Sequence, residues 1–171
     1  LNNLTNISNG YVGLAPFKSE FFTTPTQNSF TLGSLPWLDL LTLHEYRHVL
    51  QFSNGKRGLS KILSVLFGQS AYAGSINVAV PDWYFEGDAV MAETAMSSQG
   101  RGRIPHFLRA YKAYESEGRR FSYQKVRNGS YKDFIPDHYR SGYMMNKFGA
   151  DQYGPSFWGE VLADAGAYKG L

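Results

Sequence analysis

The feature that most constrains this chain is the stretch His44-Glu45-Tyr46-Arg47-His48, an H-E-x-x-H pentad that follows the apolar run Leu38-Asp39-Leu40-Leu41-Thr42-Leu43. Residues four apart on a helix share a face, so the two imidazoles project from one side about a turn apart and can hold a single metal ion. Glu45 then lies beside that ion, placed to take a proton from a bound water. The flanking sequence predicts the helix itself, with Ser34 as N-cap and Pro36 in the first turn, where proline is tolerated. Its inward stripe reads Trp37, Leu41, His44, His48, Phe52, a 3.6-residue period in which the histidines continue the apolar face. Histidines on a core-facing stripe need their ring nitrogens satisfied, and one metal ion serves both.

A third ligand is sought where a carboxylate sits among apolar residues. Pro81 and Asp82 open a further helix, Trp83 to Glu93, and Glu86 lies in its otherwise apolar first turn. A buried carboxylate needs a cation or a strong donor. Zinc is such a cation, and catalytic zinc takes three protein ligands, two His and one Glu among the standard sets, with a fourth position open to water. Glu93, seven residues after Glu86 and on the same face, is placed to orient a ligating histidine.

At 171 residues the chain suits one domain with its own core. Residue 1 is Leu, so the expectation is a single domain, 1–171, processed or excised from a longer protein. The absence of cysteine excludes disulfides, thiolate ligands and a cysteine nucleophile. It also suits an envelope or secreted location. No uninterrupted apolar run reaches the roughly 18 residues of a bilayer span, so no transmembrane segment is expected.

Net charge is +3, unevenly placed: residues 101–132 carry nine Lys or Arg against Glu115 and Glu117, a net of +7, which leaves −4 for the part containing the pentad. Interleaved Arg, Lys and Tyr in that segment suit an anionic surface, although a solvated face with snorkelling stems explains the same pattern and makes nucleic acid an unlikely partner.

Segments 11–17 and 20–24 read as strands and turns within a first thirty-odd residues of that character, a small sheet whose edge can accept an extended peptide. Segment 59–67 reads as a short amphipathic helix, 68–80 as a small-residue connector or lid, and 104–114, 138–148 and 155–164 as helices. His106 is expected to be structural or exposed.

The pentad together with Trp83-x-x-Glu86-Gly87-x-Ala89-x-x-x-Glu93 resembles the gluzincin branch of zinc metallopeptidases, in particular its aminopeptidase side. That resemblance implies an α+β zincin-like fold, a small N-terminal sheet followed by a mostly helical region. It implies zinc bound by His44, His48 and Glu86, Glu45 as general base, and a peptide or protein substrate. In the same enzymes a Tyr-x-x-Gly at the start of a later helix supplies a hydroxyl to the oxyanion. Tyr139 with Gly142 resembles it, with His138 or Tyr143 as alternatives.

The metzincin pattern does not apply, because its Gly and third His fall at Gln51 and Asn54. Against known gluzincins, 37 residues separate His48 from Glu86, which makes segment 55–80 an insertion. Val90 stands where thermolysin-like enzymes place Asp, and the Gly-x-Met-Glu-Asn signature that anchors a substrate amine is missing, so endo- and exopeptidase both stay open. The reading from another class is an inactive zincin-derived binding module that uses the basic segment 101–132 as its contact surface.

Overall fold

A computed structural model describes residues 8–24 and 32–170. It is mixed α and β, mostly helical, with a sheet of two strands. Strands β1 (Gly10–Leu14) and β2 (Phe17–Phe21) pair antiparallel in the register Gly10↔Phe21 to Leu14↔Phe17, closed by the Ala15-Pro16 turn. Pro16 offers no N–H to a ladder, so the first strand ends at Leu14, three residues before the end of the expected segment 11–17. The strand-and-turn reading of the first thirty-odd residues also falls on 1–7 and 25–31, which lie outside the described residues.

Seven α-helices follow among the described residues: α1 (Trp37–Gly55), α2 (Gly58–Ala79), α3 (Asp82–Met96), α4 (Arg109–Ser116), α5 (Tyr123–Asn128), α6 (His138–Tyr153) and α7 (Phe157–Ala167), with one 3₁₀ turn over Arg101–Arg103. Helix α1 carries the expected stripe, with Leu41, His44 and His48 buried and Trp37 and Phe52 half-buried. Its start differs from expectation. The cap is Pro36 rather than Ser34, with no side-chain hydrogen bond, and the Pro36 carbonyl accepts from the Asp39 and Leu40 amides at 3.1 and 3.2 Å. Proline in an extended conformation thus supplies the acceptor, and Asp39 complements the positive helix end.

The largest departure from expectation is α2. Segment 68–80 is not a connector: the helix resumes after a break at Gly68 (φ 82°, ψ −169°) and runs to Ala79. Its small residues hide a helical period, Tyr72, Ile76, Val80, and all three are buried in the main core with Tyr84, Phe85 and Leu162. Tertiary burial overrides the loop-like composition. By length and composition alone this 22-residue helix could cross a bilayer, although its apolar residues are interrupted by Ser, Gly, Gln and Asn. Proline displaces another expected boundary: residues 105–108 form turns and α4 begins only at Arg109.

Helices α3 and α6 meet at Gly87 and Gly142. A Cβ on Gly142 would lie 2.0 Å from the Trp83 carbonyl oxygen, and one on Gly87 would lie 2.0 Å from the Gly142 carbonyl carbon. The crossing is locked by buried Asn146, whose Nδ2 donates to Tyr84 O at 3.2 Å and Gly142 O at 3.0 Å, while Trp158 Nε1 donates to Asn146 O at 2.7 Å. A second apolar cluster, Val90, Phe107 and Tyr143, packs just beyond.

Gly142→Ala is expected to destabilise the fold by about 3 kcal/mol or more through overpacking of backbone. Gly74→Ala, at an exposed helical position with open space around a Cβ, is expected to stabilise by about 0.5–1 kcal/mol. Denaturant midpoints read both, and a Gly142→Ala protein as stable as the parent refutes the backbone contact.

Candidate metal centre

Helices α1 and α3 run side by side, and their facing sides bring the polar residues of the sequence pattern together. The two imidazoles stack edge to face with centroids 4.9 Å apart. Glu86 Oε2 lies 3.1 Å from His44 Nε2 and 3.6 Å from His48 Nε2, and the three donor atoms fall within 4.8 Å of one another. Ligands at 2.0–2.1 Å in tetrahedral directions stand roughly 3.3 Å apart, so the two histidine–glutamate separations suit a shared ion.

The opposite ring nitrogens are occupied. His48 Nδ1 meets Gln51 Oε1 at 2.8 Å, and Gln51 is fixed in turn, its Nε2 donating to Phe85 O at 3.0 Å and Asp88 Oδ2 at 2.6 Å. Asp88, fully buried, takes a bidentate grip from Arg47 at 2.7 and 2.9 Å. Since the Gln51 oxygen can only accept, this contact puts a proton on His48 Nδ1, and for Nε2 to coordinate an ion it must give up any proton it shares with Glu86.

His44 has a parallel arrangement: its Nδ1 lies 3.2 Å from Glu93 Oε2. Arg101 holds Glu93 through Nε at 2.6 Å, Nη2 at 3.0 Å and its backbone amide at 3.3 Å, and Arg101 Nη2 also lies 2.8 Å from His44 Nδ1. A guanidinium can only donate, so the Arg101 contact asks Nδ1 to accept; for His44 Nε2 to coordinate, Nδ1 must instead hold the proton, donate to Glu93 and release Arg101 to Glu93 alone, a carboxylate–histidine pairing of the kind that orients metal ligands.

Glu45 differs from the other carboxylates. It is buried at 5 % exposure, and its Oε2 has no hydrogen-bond partner among the described residues. Burial pushes its carboxyl above the usual carboxylate range, with the neighbouring imidazoles pulling the other way. Glu86 moves in the opposite direction: burial again opposes its charge, but hydrogen bonds from His44 and His48 outweigh that and hold it far below the usual range. Glu93 is likewise lowered, burial being outweighed by His44 and Arg101. With neutral imidazoles, Glu45, Glu86 and Glu93 against Arg101 give a local charge of about −2, which a divalent cation would neutralise. Donor set, spacing, ring orientation and charge therefore fit a divalent ion.

These residues open onto a cavity of about 600 Å³ lined also by Gly10, Tyr11 and Val12 of β1, by Phe52, and by His138 and Tyr139 at the start of α6. Tyr139 sits 6.1 Å from His44 between ring centroids, with the Arg101 guanidinium 5.1 Å from its own ring. Burial first, then the adjacent Glu86 carboxylate, pushes its phenol well above 10, so the hydroxyl stays protonated. His138 stacks on Tyr139 at 4.7 Å, whereas Tyr143 is buried against Val90 and Phe107 and does not line the cavity.

Four residues of this centre carry no sequence-level signal of their role: Arg47, Gln51, Asp88 and Arg101. Arg101 belongs by sequence to the basic segment 101–132, yet its side chain is turned inward onto Glu93. Two more of the nine cations in that segment, Arg119 and Lys125, pair with Asp133. His106 has no place in the centre and is half-buried.

Compared with known proteins, the chain matches no family model, no curated protein and no solved structure.

Asp88→Ala removes the acceptor shared by Arg47 and Gln51. It is expected to cost about 1.5–3 kcal/mol, as loss of charge-assisted bonds from a buried acceptor does. Chemical denaturation measures it, and a change under about 0.5 kcal/mol sets aside the idea that Asp88 anchors the α1–α3 contact.

Proposed function

We propose that the chain is a zinc-dependent peptidase domain of zincin-like fold and gluzincin type. The observation that carries this reading is Glu45: a buried carboxylate oxygen without a partner among the described residues, beside three convergent donors, in a cavity open to a ligand. Buried carboxylates are costly to leave unpaired, and such groups concentrate at sites of proton transfer.

In this reading His44, His48 and Glu86 hold the ion. Bound zinc lowers the pKa of a coordinated water toward ~7 and polarises a carbonyl. The protein residues supply the rest. Glu93 and Gln51 fix the two rings so that neither can swing away from the site. Glu45 accepts the proton of the attacking water and passes it to the leaving amine; its raised pKa brings it nearer to neutral pH, where a base of this kind is most effective, and the step is typically worth about 10²–10⁴ in rate. Tyr139, kept protonated, donates to the oxyanion that forms at the scissile carbonyl. Gly10, Tyr11 and Val12 line the cavity, which places a strand beside the centre where an extended peptide can add by main-chain pairing.

The competing reading, a binding module that docks through segment 101–132, has less free charge to work with, because Arg101, Arg119 and Lys125 are engaged internally.

Cleavage of a broad peptide library with and without chelator is the deciding experiment. The parent should cleave and lose activity on chelation, with zinc restoring it; no cleavage in any zinc-loaded condition refutes the peptidase reading. Glu45→Gln should keep zinc while turnover falls by at least about 10², and His44→Ala should lose the metal by elemental analysis. For Tyr139→Phe, kcat is expected to drop with zinc content unchanged; full activity would move the oxyanion role to His138.

A further inference from the structure

The first half of α2, residues 58–67, has an apolar surface that nothing among the described residues covers. Leu59, Ile62, Val65, Leu66 and Phe67 are 41, 54, 74, 66 and 69 % exposed. Leu59, Ile62 and Leu66 are spaced three and four apart, so they form one stripe along the helix, with Val65 and Phe67 beside it. Only Ser60 of this half is fully buried, where its hydroxyl donates to Gly55 O at 2.9 Å and roots the helix start. Summed, the five side chains present on the order of 500 Å² of apolar area, as large as the largest patch a typical monomer exposes and usually functional at that size.

Charge along this segment has one sign. No Asp or Glu occurs between Glu45 and Asp82, and Lys56, Arg57 and Lys61 flank the stripe, all exposed. The hairpin tip adjoins the break that follows, since Phe17, 48 % exposed, donates its amide to Gln69 Oε1 at 3.0 Å.

Two candidate occupants fail on these observations. A second copy of the chain would oppose three cations to three cations with no acidic residue in the segment to pair them, and the patch is smaller than the ~800 Å² per partner of a stable interface. A bilayer span fails on backbone geometry: Gly68 breaks the helix into pieces of about ten residues, each roughly 15 Å long against a hydrocarbon core of ~30 Å. What fits is a surface apolar just below a negatively charged layer. An amphipathic helix lying in the plane of a bilayer buries its apolar face to the acyl boundary while lysines and arginines meet anionic headgroups.

We propose that residues 56–67 form an interfacial anchor that docks the protein on an anionic phospholipid bilayer, with Leu59, Ile62, Val65, Leu66 and Phe67 inserted and Lys56, Arg57 and Lys61 at the headgroups. The inference is independent of the peptidase reading, since it uses no residue of the metal centre.

The test is flotation of the purified 171-residue chain with vesicles of phosphatidylcholine alone and of phosphatidylcholine mixed with phosphatidylglycerol. The parent should float with the mixed vesicles, more weakly with neutral ones, and less as salt is raised. Ile62→Asp/Leu66→Asp should weaken binding about tenfold or more, and Lys56→Gln/Lys61→Gln should weaken binding to the mixed vesicles and flatten the salt dependence. These positions are exposed, so circular dichroism should match the parent; if the aspartate variant does not fold, Val65→Ser/Phe67→Ser gives the same readout. A parent that stays unbound at low salt overturns the proposal, as does an aspartate variant that floats as well as the parent. Self-association abolished by the aspartate variant, without vesicle binding, also overturns it and assigns the patch to a second copy.

Discussion

The centre depends on a backbone contact rather than on any side chain. Packed helices usually keep their axes 8–10 Å apart because side chains intervene. At Gly87 and Gly142 none do, and α3 and α6 approach until a single Cβ on either would overlap the other's main chain. Glu86 immediately precedes the first of these glycines, and Tyr139 lies three residues, nearly one turn, before the second. The crossing therefore brings a carboxylate from one helix and a phenol from another to one cavity wall. Gly142 is thus explained by packing as well as by its place in a Tyr-x-x-Gly pattern. Asn146, one turn further on, ties the crossing to Trp158 and so to α7.

Around that contact the protein tolerates an unusual amount of buried polarity. Asp88, Glu93 and Asn146 are fully inaccessible, and His44, Glu45, His48 and Gln51 nearly so. Replacing buried ion pairs with apolar residues is often neutral or stabilising, so stability alone does not account for such a cluster. Its members are nonetheless ordered in two short chains, Arg47–Asp88–Gln51–His48 and Arg101–Glu93–His44, each ending on an imidazole Nδ1. In both chains a guanidinium fixes a carboxylate and the chain beyond it fixes a ring. The effect is to aim two Nε2 atoms at one point, and Glu45, which belongs to neither chain, has its Oε2 unpaired among the described residues beside it.

How much of this is legible in the sequence varies with the range of the interaction. The α1 stripe is readable because a helical period is local, and Glu86 is readable because a carboxylate among apolar residues demands a partner. Arg101 is not, since it reaches Glu93 only after the chain turns back at Gly100, and nothing in Gly100-Arg101-Gly102-Arg103 distinguishes an inward arginine from a solvated one. Gln51 and Asp88 escape for a related reason: each looks like an ordinary polar residue until α1 and α3 are placed face to face. The second half of α2 misleads in the opposite way, because Ser, Ala and Gly mask a period carried by Tyr72, Ile76 and Val80. At Pro36, Pro16 and Pro105 the type of element is right and the boundary moves, as expected where a missing N–H rather than a side chain decides the ending.

Helix α2 then serves two surroundings with one sequence free of acidic residues. After Gly68 its apolar residues face inward onto Tyr84, Phe85 and Leu162, and Asn77 reaches the cavity wall. Before Gly68, Leu59, Ile62, Val65, Leu66 and Phe67 face outward. An unbroken helix would carry one set of faces along its whole length and would transmit any displacement of its exposed half directly to Ile76 and Asn77. The glycine at φ 82° interrupts the hydrogen-bond ladder between the halves, and open space around its Cα leaves the joint uncrowded. Residues 58–67 can therefore shift without disturbing the core packing that holds the cavity wall, because the exposed apolar stripe and that wall lie on opposite sides of one joint.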